Sequence, residues 1–329
     1  MVRLVVCGNG FDLSHELETS YRHYKKNGLK EYERVMKDFE GFPWLFECDK
    51  NELWRDIEKT LTIDTIGMIE FIKNNYVEDD EIVFDEFETD IENWTEFVYF
   101  FTGEAFFNWL EKLDYSRCKK KDFVENILKD ALIINFNYTS TLEDVYKISD
   151  KNIYHIHGYL RKVQSSFLQS NNILPSFSTV EEAEAFSDEI ILSHRYNNDI
   201  IKSEIQFGSP DISKESVSKD LINTFGKENY EDINAFRDIE NFIDVASKNI
   251  ELNIPKLKRF LEEKDIDEVV IMGHSLGGPD DLYYEQVLVP LFKDIKWVIF
   301  VYDTINTEFA EKNNLKNVEY RNWNNEIIQ

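Results

Sequence analysis

The chain opens on an apolar strand that runs directly into a glycine turn, and this junction constrains the fold more than any other stretch. Leu4–Cys7 is a short apolar run rich in β-branched residues, which predicts a buried strand. Gly8 and Gly10 lack a Cβ atom, so the backbone between them can turn sharply and approach a ligand closely. Asp12 is the predicted N-cap of a helix over 13–26. A strand, a glycine turn and a helix N-terminus in this order favour phosphate binding.

Two properties of this turn leave its role open. The dinucleotide-binding fingerprint needs a third small residue at the position where this chain has Leu13. A carboxylate in the first helical turn disfavours a phosphate, so Asp12 either caps the helix or accepts a hydrogen bond from a ribose hydroxyl. A tight strand-to-helix turn without any ligand is an equal alternative.

Length, charge and cysteine content exclude several classes of protein. With 329 residues the chain can bury a sizeable core, as one large domain or a domain with insertions. Its net charge of −27 disfavours nucleic acid and anionic membranes as partners. We expect a cytoplasmic protein, because the sequence shows no signal peptide and no apolar run of membrane-spanning length. The cysteines are odd in number, lack metal-ligand spacing and predict no metal site: Cys7, Cys48 and Cys118.

Strand and helix patterns alternate at both ends of the chain, which indicates an α/β fold with a largely parallel sheet. Further strands are predicted at 131–136, 152–158, 267–272, 297–302 and, as a last edge strand, 318–320. Residues 13–125 are predicted to be a mostly helical insertion, and residues 162–232 an irregular insertion or lid. The sheet core then comprises 1–12, 126–161 and 265–322 of a single domain spanning the whole chain. Two helices are predicted between the lid and the last strands, one over 233–249 and one that begins at Pro255.

Polar residues follow several of these predicted strands. Ligands of open α/β sheets bind at the carboxyl ends of the strands. Asn137, His157 and Gly158 come directly after the second and third strands. We therefore expect them to meet the Gly8–Gly10 turn at one edge of the sheet. The alternatives are an Asx-turn for Asn137 and a structural histidine for His157, and His155 is expected to be structural.

Gly273-His274-Ser275-Leu276-Gly277 matches the nucleophile elbow of serine hydrolases and follows a predicted strand. In the α/β-hydrolase order, the general base is a histidine that follows the serine. No histidine follows Ser275, so that base is missing. The alternative is a second glycine turn, which presents backbone N–H groups and the Ser275 hydroxyl to a nucleotide, with Asp280 capping the next helix.

The motifs, in their order along the chain, resemble those of the AbiH bacteriophage abortive-infection proteins. They are Gly8-Asn9-Gly10-Phe11-Asp12-Leu13 with Thr19-Ser20-Tyr21, Trp54-x-x-x-Glu58, Asn135-Phe136-Asn137-Tyr138-Thr139, His155-Ile156-His157-Gly158, and Gly273-His274-Ser275-Leu276 followed by Asp280. More distantly, the set resembles sirtuin-like NAD-binding domains, including those that degrade NAD in phage defence. This resemblance implies a Rossmann-like sheet, a role in antiviral defence and NAD as the substrate.

The sirtuin-like resemblance also implies roles for individual residues. Asn137 and His157 would be catalytic: His157 takes a proton from water or a ribose hydroxyl, and the Asn137 amide bonds to the ribose and the water. The Gly8–Gly10 turn would hold the pyrophosphate. The predicted NAD-binding residues are Gly8, Asn9, Gly10, Phe11, Asp12, Tyr138, Gly158, Gly273, His274, Ser275 and Asp280. The chain lacks a four-cysteine zinc module, so a deacylase of the sirtuin kind is disfavoured.

Three functions therefore remain. The first is an NAD glycohydrolase whose activity arrests an infected cell, and the second is a non-catalytic sensor that binds a nucleotide in the same pocket and triggers a partner. The third is a serine hydrolase that uses the Ser275 elbow. We expect a homo-oligomer and a phage-derived activator, with no nucleic acid, membrane or metal involved.

Overall fold

The computed structural model describes residues 2–30, 65–78, 81–82, 87–92, 105–162, 200–202, 214–227, 230, 234–246, 250–278, 280–302, 305–323 and 327–328. The chain divides into two compact units. The first consists of Met1–Thr19, Leu110–Ile205 and Ile250–Gln329, and the second of Ser20–Trp109 and Gln206–Asn249.

The first unit is built on a seven-stranded sheet with six parallel strands, so the predicted α/β class and parallel sheet are confirmed. In chain order the strands are β1 (Arg3–Cys7), β2 (Leu132–Asn135), β3 (Ile153–His155), β4 (Glu268–Met272), β5 (Lys296–Phe300), β6 (Val318–Arg321) and β7 (Ile327–Ile328). Across the sheet they lie in the order β3-β2-β1-β4-β5-β6-β7. Only β7 is antiparallel to its neighbour.

The central strands are continuous apolar runs because both of their faces are covered. Every residue of β4 is buried, as are the last four residues of β1. Such runs are typical of parallel strands with helices on both sides. Two hydrophobic cores lie on opposite faces, one containing Leu4 and Ile271 and the other containing Val5 and Val270.

Register brings three loops to the same level at the carboxyl edge of the sheet. Cys7, the last residue of β1, pairs with Asn135 of β2 on one side and with Met272 of β4 on the other. Each partner also ends its own strand. The segments that begin at residues 8, 136 and 273 therefore leave the sheet side by side.

Helices and short strands complete the first unit. Its helices are Asn9–Ser14, Asp122–Leu128, Thr141–Asp144, Ile250–Leu261, Asp281–Tyr283 (continuing as the π-helical turn Tyr284–Leu288 and as Val289–Phe292) and Glu308–Lys312. Its 3₁₀ turns are Tyr115–Arg117 and Asp150–Asn152, and Leu160–Lys162 pairs with Ile200–Lys202 as a short antiparallel ribbon. The helix Ala105–Glu111 begins in the second unit and ends in the first.

The second unit is helical and has an aromatic core. Its described elements are Tyr21–His23 continuing as the π-helical turn Tyr24–Gly28, Thr65–Tyr76, a helical segment at 87–92, Lys214–Phe225, Asn234–Ala246 and the strand pair Val77–Glu78 with Glu81–Ile82. The Tyr24 ring packs edge-on against Phe106, with centroids 5.2 Å apart, and also contacts Trp109. Phe87 packs between Tyr76 and Phe236.

The helix predicted over 13–26, with Asp12 as its cap, is wrong. The first helix is Asn9–Ser14, and Asp12 lies inside it and is buried. Glu16 then adopts a left-handed conformation with φ of 65°, which ends the helix, and a new helix begins only at Tyr21. Burial of Asp12, rather than its capping preference, decides the local structure.

Two other predicted boundaries are also wrong. Pro255 lies inside the helix Ile250–Leu261 rather than at its start, because the buried face of that helix already begins at Ile250. The strand at 318–320 is not an edge strand, because β7 pairs with its outer side.

The predicted insertions differ in extent from the compact units. The second unit takes 20–109 rather than 13–125, and it also takes 206–249. The range 162–232 contains the regular helix Lys214–Phe225, while 163–199 lies outside the described residues, as do Trp54 and Glu58. A single domain with insertions stays a prediction.

Candidate functional site

Segments from four strand ends meet at the carboxyl edge of the sheet. The Gly8 N–H donates to the Met272 carbonyl (3.1 Å) and the Gly10 N–H to the Gly273 carbonyl (2.8 Å). The Asn137 side-chain amide donates to the Gly8 carbonyl (3.1 Å). We name this edge the rim and define it as residues 8–12, 135–143, 155–158, 273–278 and 280. Gly8, Gly10, Asn137 and Gly273 are therefore brought together as the sequence predicts.

The glycines of the rim pack backbone against backbone. A Cβ atom on Gly273 would lie 2.1 Å from the Phe11 nitrogen, and one on Gly10 would lie 2.8 Å from the Gly273 Cα. A Cβ atom on Gly8 would lie 2.7 Å from the His274 Cα. The N–H groups of Gly8 and Gly10 already donate to backbone carbonyls. Contact between the two glycine turns thus explains why these positions lack a side chain.

Asp12 lies beneath this contact with both carboxylate oxygens bonded. Thr139 donates its hydroxyl to Oδ2 (2.5 Å) and Thr141 donates to Oδ1 (2.6 Å). Burial raises the pKa of Asp12 to about 6, with a smaller contribution from the Glu143 carboxylate, while the two hydroxyls oppose the rise. Asp12 therefore ties the first helix to the segment after β2. Its residue type alone gives no signal of this role.

Asn137 is held by a chain of side-chain contacts that the sequence analysis missed. Its backbone N–H donates to Asn135 Oδ1 (3.1 Å), which fixes the Asn135 amide so that Nδ2 faces His155 Nδ1 at 3.4 Å. His155 Nδ1 is then the acceptor, and Nε2–H donates to Glu143 Oε1 (2.7 Å). Asn137 is only 5% exposed.

Glu143 is a second buried acid of the rim. Its other oxygen, Oε2, is buried and makes no hydrogen bond to any described residue. His155 in turn stacks on the Tyr159 ring with centroids 3.8 Å apart, so the expectation of a structural histidine fits these contacts. In the sequence, Glu143 looks like an ordinary residue of a helical first turn, and nothing there pairs it with His155.

His157 and His274 approach the same carboxylate. His157 Nε2 lies 2.8 Å from Asp280 Oδ1, and His274 Nε2 lies 3.4 Å from Asp280 Oδ2. The Phe136 ring packs edge-on against both imidazoles, with centroids 5.5 Å from His157 and 4.3 Å from His274. His157 is 1% exposed. Asp280 thus joins the segments after β3 and β4.

The remaining predicted residues divide between the interior and the outside of the rim. Phe11 is fully buried and packs against His15 and Tyr146, while Tyr138 is buried near His157 and Gly158 is buried in a left-handed conformation. Asn9 and Ser275 are exposed. Tyr302, which the sequence analysis missed, is 52% exposed and donates its hydroxyl to the Gly10 carbonyl.

The geometry around Ser275 is not that of a nucleophile elbow. Its hydroxyl donates to the Gly277 carbonyl (3.2 Å). The neighbouring His274 accepts from the Leu276 N–H through Nδ1 and turns Nε2 towards Asp280, so its imidazole does not serve the serine. The next helix begins only at Asp281, whereas an elbow leads directly into its helix.

The described residues contain neither a cluster of metal-ligating side chains nor a helix of membrane-spanning length and hydrophobicity. Over these parts of the chain, no group of three or more His, Cys, Asp or Glu side chains is arranged to hold a metal ion. Over the same parts, no helix is long and apolar enough to cross a bilayer.

Comparison with known proteins identifies the family. Residues 4–301 match the family described as bacteriophage abortive infection AbiH. No curated protein and no solved structure matches the chain. The family match covers far more than half of the 329 residues, and the segments that form the rim lie within it. The chain therefore belongs to the AbiH family of bacteriophage abortive-infection proteins.

Proposed function

We propose that this AbiH-family chain binds NAD at the rim and hydrolyses the bond between nicotinamide and ribose, which would arrest an infected cell by consuming its NAD. The observation that carries the proposal is the meeting of Asn137, His157 and two glycine turns at one edge of the sheet. The strand order β3-β2-β1-β4-β5-β6 reverses direction between β1 and β4. Rossmann-type domains share this order and bind dinucleotides where it reverses.

The reaction needs few groups from the protein. The bond between ribose C1′ and the nicotinamide nitrogen breaks, and its electron pair neutralises the departing pyridinium. Water supplies the oxygen that bonds to C1′, and His157 takes the proton of that water. The Asn137 amide can bond to both the ribose hydroxyls and the water. The products are nicotinamide and ADP-ribose.

Exposure divides the proposed site into an outer and an inner part. Asn9, Ser275 and Tyr302 are exposed and would meet the diphosphate and the bases first. Asn137 and His157 are buried, so little water reaches them. Since the N–H groups of Gly8 and Gly10 are already bonded, the diphosphate would depend on side chains rather than on these two groups.

One observation favours a second candidate, a nucleotide sensor without turnover. Asn137 is 5% exposed and donates to a backbone carbonyl, and His157 is 1% exposed and bonded to Asp280. Both side chains are thus already bonded to other groups of the protein. A nucleotide on the outer part of the rim would then trigger a partner without chemistry. A second copy of the chain and a phage-derived activator remain the proposed partners.

Nicotinamide release from NAD by the purified full chain tests both candidates. For the hydrolase, Asn137→Ala and His157→Ala should each lower turnover by about 10²-fold or more, the usual size of a general-base contribution. Asn313→Ala is a matched control, because Asn313 bonds to the Phe309 carbonyl at the end of a helix away from the rim. Calorimetric binding without release supports the sensor, and neither binding nor release overturns both.

A further inference from the structure

Asp280 is shared between two histidines that come from different strand ends. One carboxylate oxygen lies 2.8 Å from His157 Nε2 and the other lies 3.4 Å from His274 Nε2. The side chains are 1% exposed for His157, 4% for His274 and 15% for Asp280. Water therefore competes little for these contacts.

A hydrogen bond from the backbone determines which ring nitrogen of neutral His274 carries the proton. The Leu276 N–H can only donate, and it donates to His274 Nδ1 at 3.2 Å. This nitrogen must therefore carry the lone pair, which leaves the proton on Nε2, the nitrogen that faces Asp280.

The Asp280 carboxylate determines in the same way which ring nitrogen of His157 carries the proton. An ionised carboxylate only accepts, so His157 Nε2 at 2.8 Å must carry a proton. In the neutral ring, Nδ1 is then the nitrogen that can accept a proton. Which nitrogen of a histidine is basic is commonly set by the partner of the other nitrogen.

We infer that Asp280 is a positioning residue, which holds His157 in the Nε2–H tautomer and is itself oriented by His274. This inference deepens the proposed function, because only the Nε2–H tautomer leaves Nδ1 free of a proton and able to act as the base. Asp280 thus acts through His157 rather than on the ligand. The tautomers themselves exist whether or not NAD is hydrolysed.

Replacing Asp280 by asparagine should change the tautomer of His157. In the Asp280→Asn variant the side chain keeps one acceptor and gains one donor. His274 still presents Nε2–H, because Leu276 occupies its Nδ1, so the amide oxygen turns to His274. The amide nitrogen then faces His157 Nε2, which must accept and shifts the proton of this ring to Nδ1.

Nitrogen-15 NMR of histidine-labelled full chain, at a pH where the rings are neutral, reports these tautomers. The His157 signals are assigned by their loss in His157→Gln. We expect Nε2–H for both rings in the wild-type chain, and Nδ1–H for His157 alone in Asp280→Asn. The control is Asp281→Asn, since Asp281 pairs with Lys312 at 3.6 Å at the surface and should leave both rings unchanged. His157 remaining Nε2–H in Asp280→Asn overturns the inference.

A second variant tests the role of His274. Adding His274→Phe to Asp280→Asn removes the Nε2–H group that donates to the amide oxygen. The amide can then turn its oxygen to His157, which returns to the Nε2–H tautomer. Where the wild-type chain releases nicotinamide, kcat should fall about 10²-fold or more in Asp280→Asn with KM nearly unchanged, and recover in the double variant. A rise in KM alone would instead make Asp280 a ligand contact. If the wild-type chain releases no nicotinamide from NAD, the proposed hydrolysis is refuted. The NMR result still decides whether Asp280 sets the tautomer of His157.

Discussion

Packing of the two glycine turns predicts a large and specific cost for one methyl group. Gly273→Ala introduces a Cβ 2.1 Å from the Phe11 nitrogen and 2.4 Å from the Gly10 carbonyl carbon. Both neighbours are backbone atoms, so no side-chain rotation can relieve the overlap. Gly273 also has φ of 73°, which disfavours any residue with a Cβ.

Two other glycines of the same loop separate the cost of the steric overlap from the cost of the left-handed φ. Gly278→Ala has φ of 84°, but its Cβ lies within 4 Å of no described atom, so it measures the conformational cost alone, about 1–2 kcal/mol. The Cβ of Gly277→Ala meets no atom of the part of the chain that the structure describes, and Gly277 has no left-handed φ, so the effect should lie within about 0.5 kcal/mol. In Gly273→Ala the displaced backbone adds about 1–3 kcal/mol, typical of overpacking. We therefore expect a total loss of about 2–5 kcal/mol for Gly273→Ala.

Urea unfolding followed by tryptophan fluorescence measures these costs, and the fully buried Trp297 reports on the sheet that carries the rim. The expected order of destabilisation is Gly273→Ala first, Gly278→Ala second and Gly277→Ala last. A Gly273→Ala cost equal to that of Gly278→Ala would refute the contact as the reason for this glycine.

Two further predictions concern the buried acids. Because burial raises the pKa of Asp12 to about 6, the folded chain holds this proton more tightly than the unfolded chain, so this group should lower the free energy of unfolding by about 3 kcal/mol as the pH rises from about 3 to about 7. Over this pH range the free energy of unfolding from urea titrations should fall less, or rise more, in Asp12→Asn than in the wild-type chain, and identical pH profiles would contradict the assignment. His155→Phe leaves the Glu143 carboxylate buried without its donor and should cost about 3–5 kcal/mol. Adding Glu143→Gln should recover most of that loss, and an additive double variant would count against a coupled pair.

The strands of the sheet could be predicted because the buried residues of a central strand follow one another as an uninterrupted apolar run. Leu4–Cys7 and Val269–Met272 are apolar without interruption, and every one of these side chains is buried in the structure. The second unit could not be predicted in this way. It joins 20–109 with 206–249, and no local pattern relates segments so far apart.

The candidate site was predictable where a residue follows a strand and unpredictable where it depends on a distant partner. Asn137 and His157 stand at strand ends, so a parallel sheet alone brings them to one edge. Asp12 bonds to hydroxyls 127 and 129 residues away, and nothing in its own neighbourhood predicts them. Glu143 likewise becomes important only through His155, whose position depends on the pairing of β3 with β2.

The two glycine motifs illustrate the same distinction. Taken separately, Gly8–Gly10 and Gly273–Ser275 each resemble a loop that makes room for a ligand. Because β1 and β4 are adjacent and end at the same level, each turn instead makes room for the backbone of the other. The packed turns leave the side chains of Asn9, Ser275 and Tyr302 exposed, so the ligand proposed for the rim would meet these side chains. If the rim binds a nucleotide as proposed, side chains rather than the N–H groups of Gly8 and Gly10 should decide which nucleotide it binds.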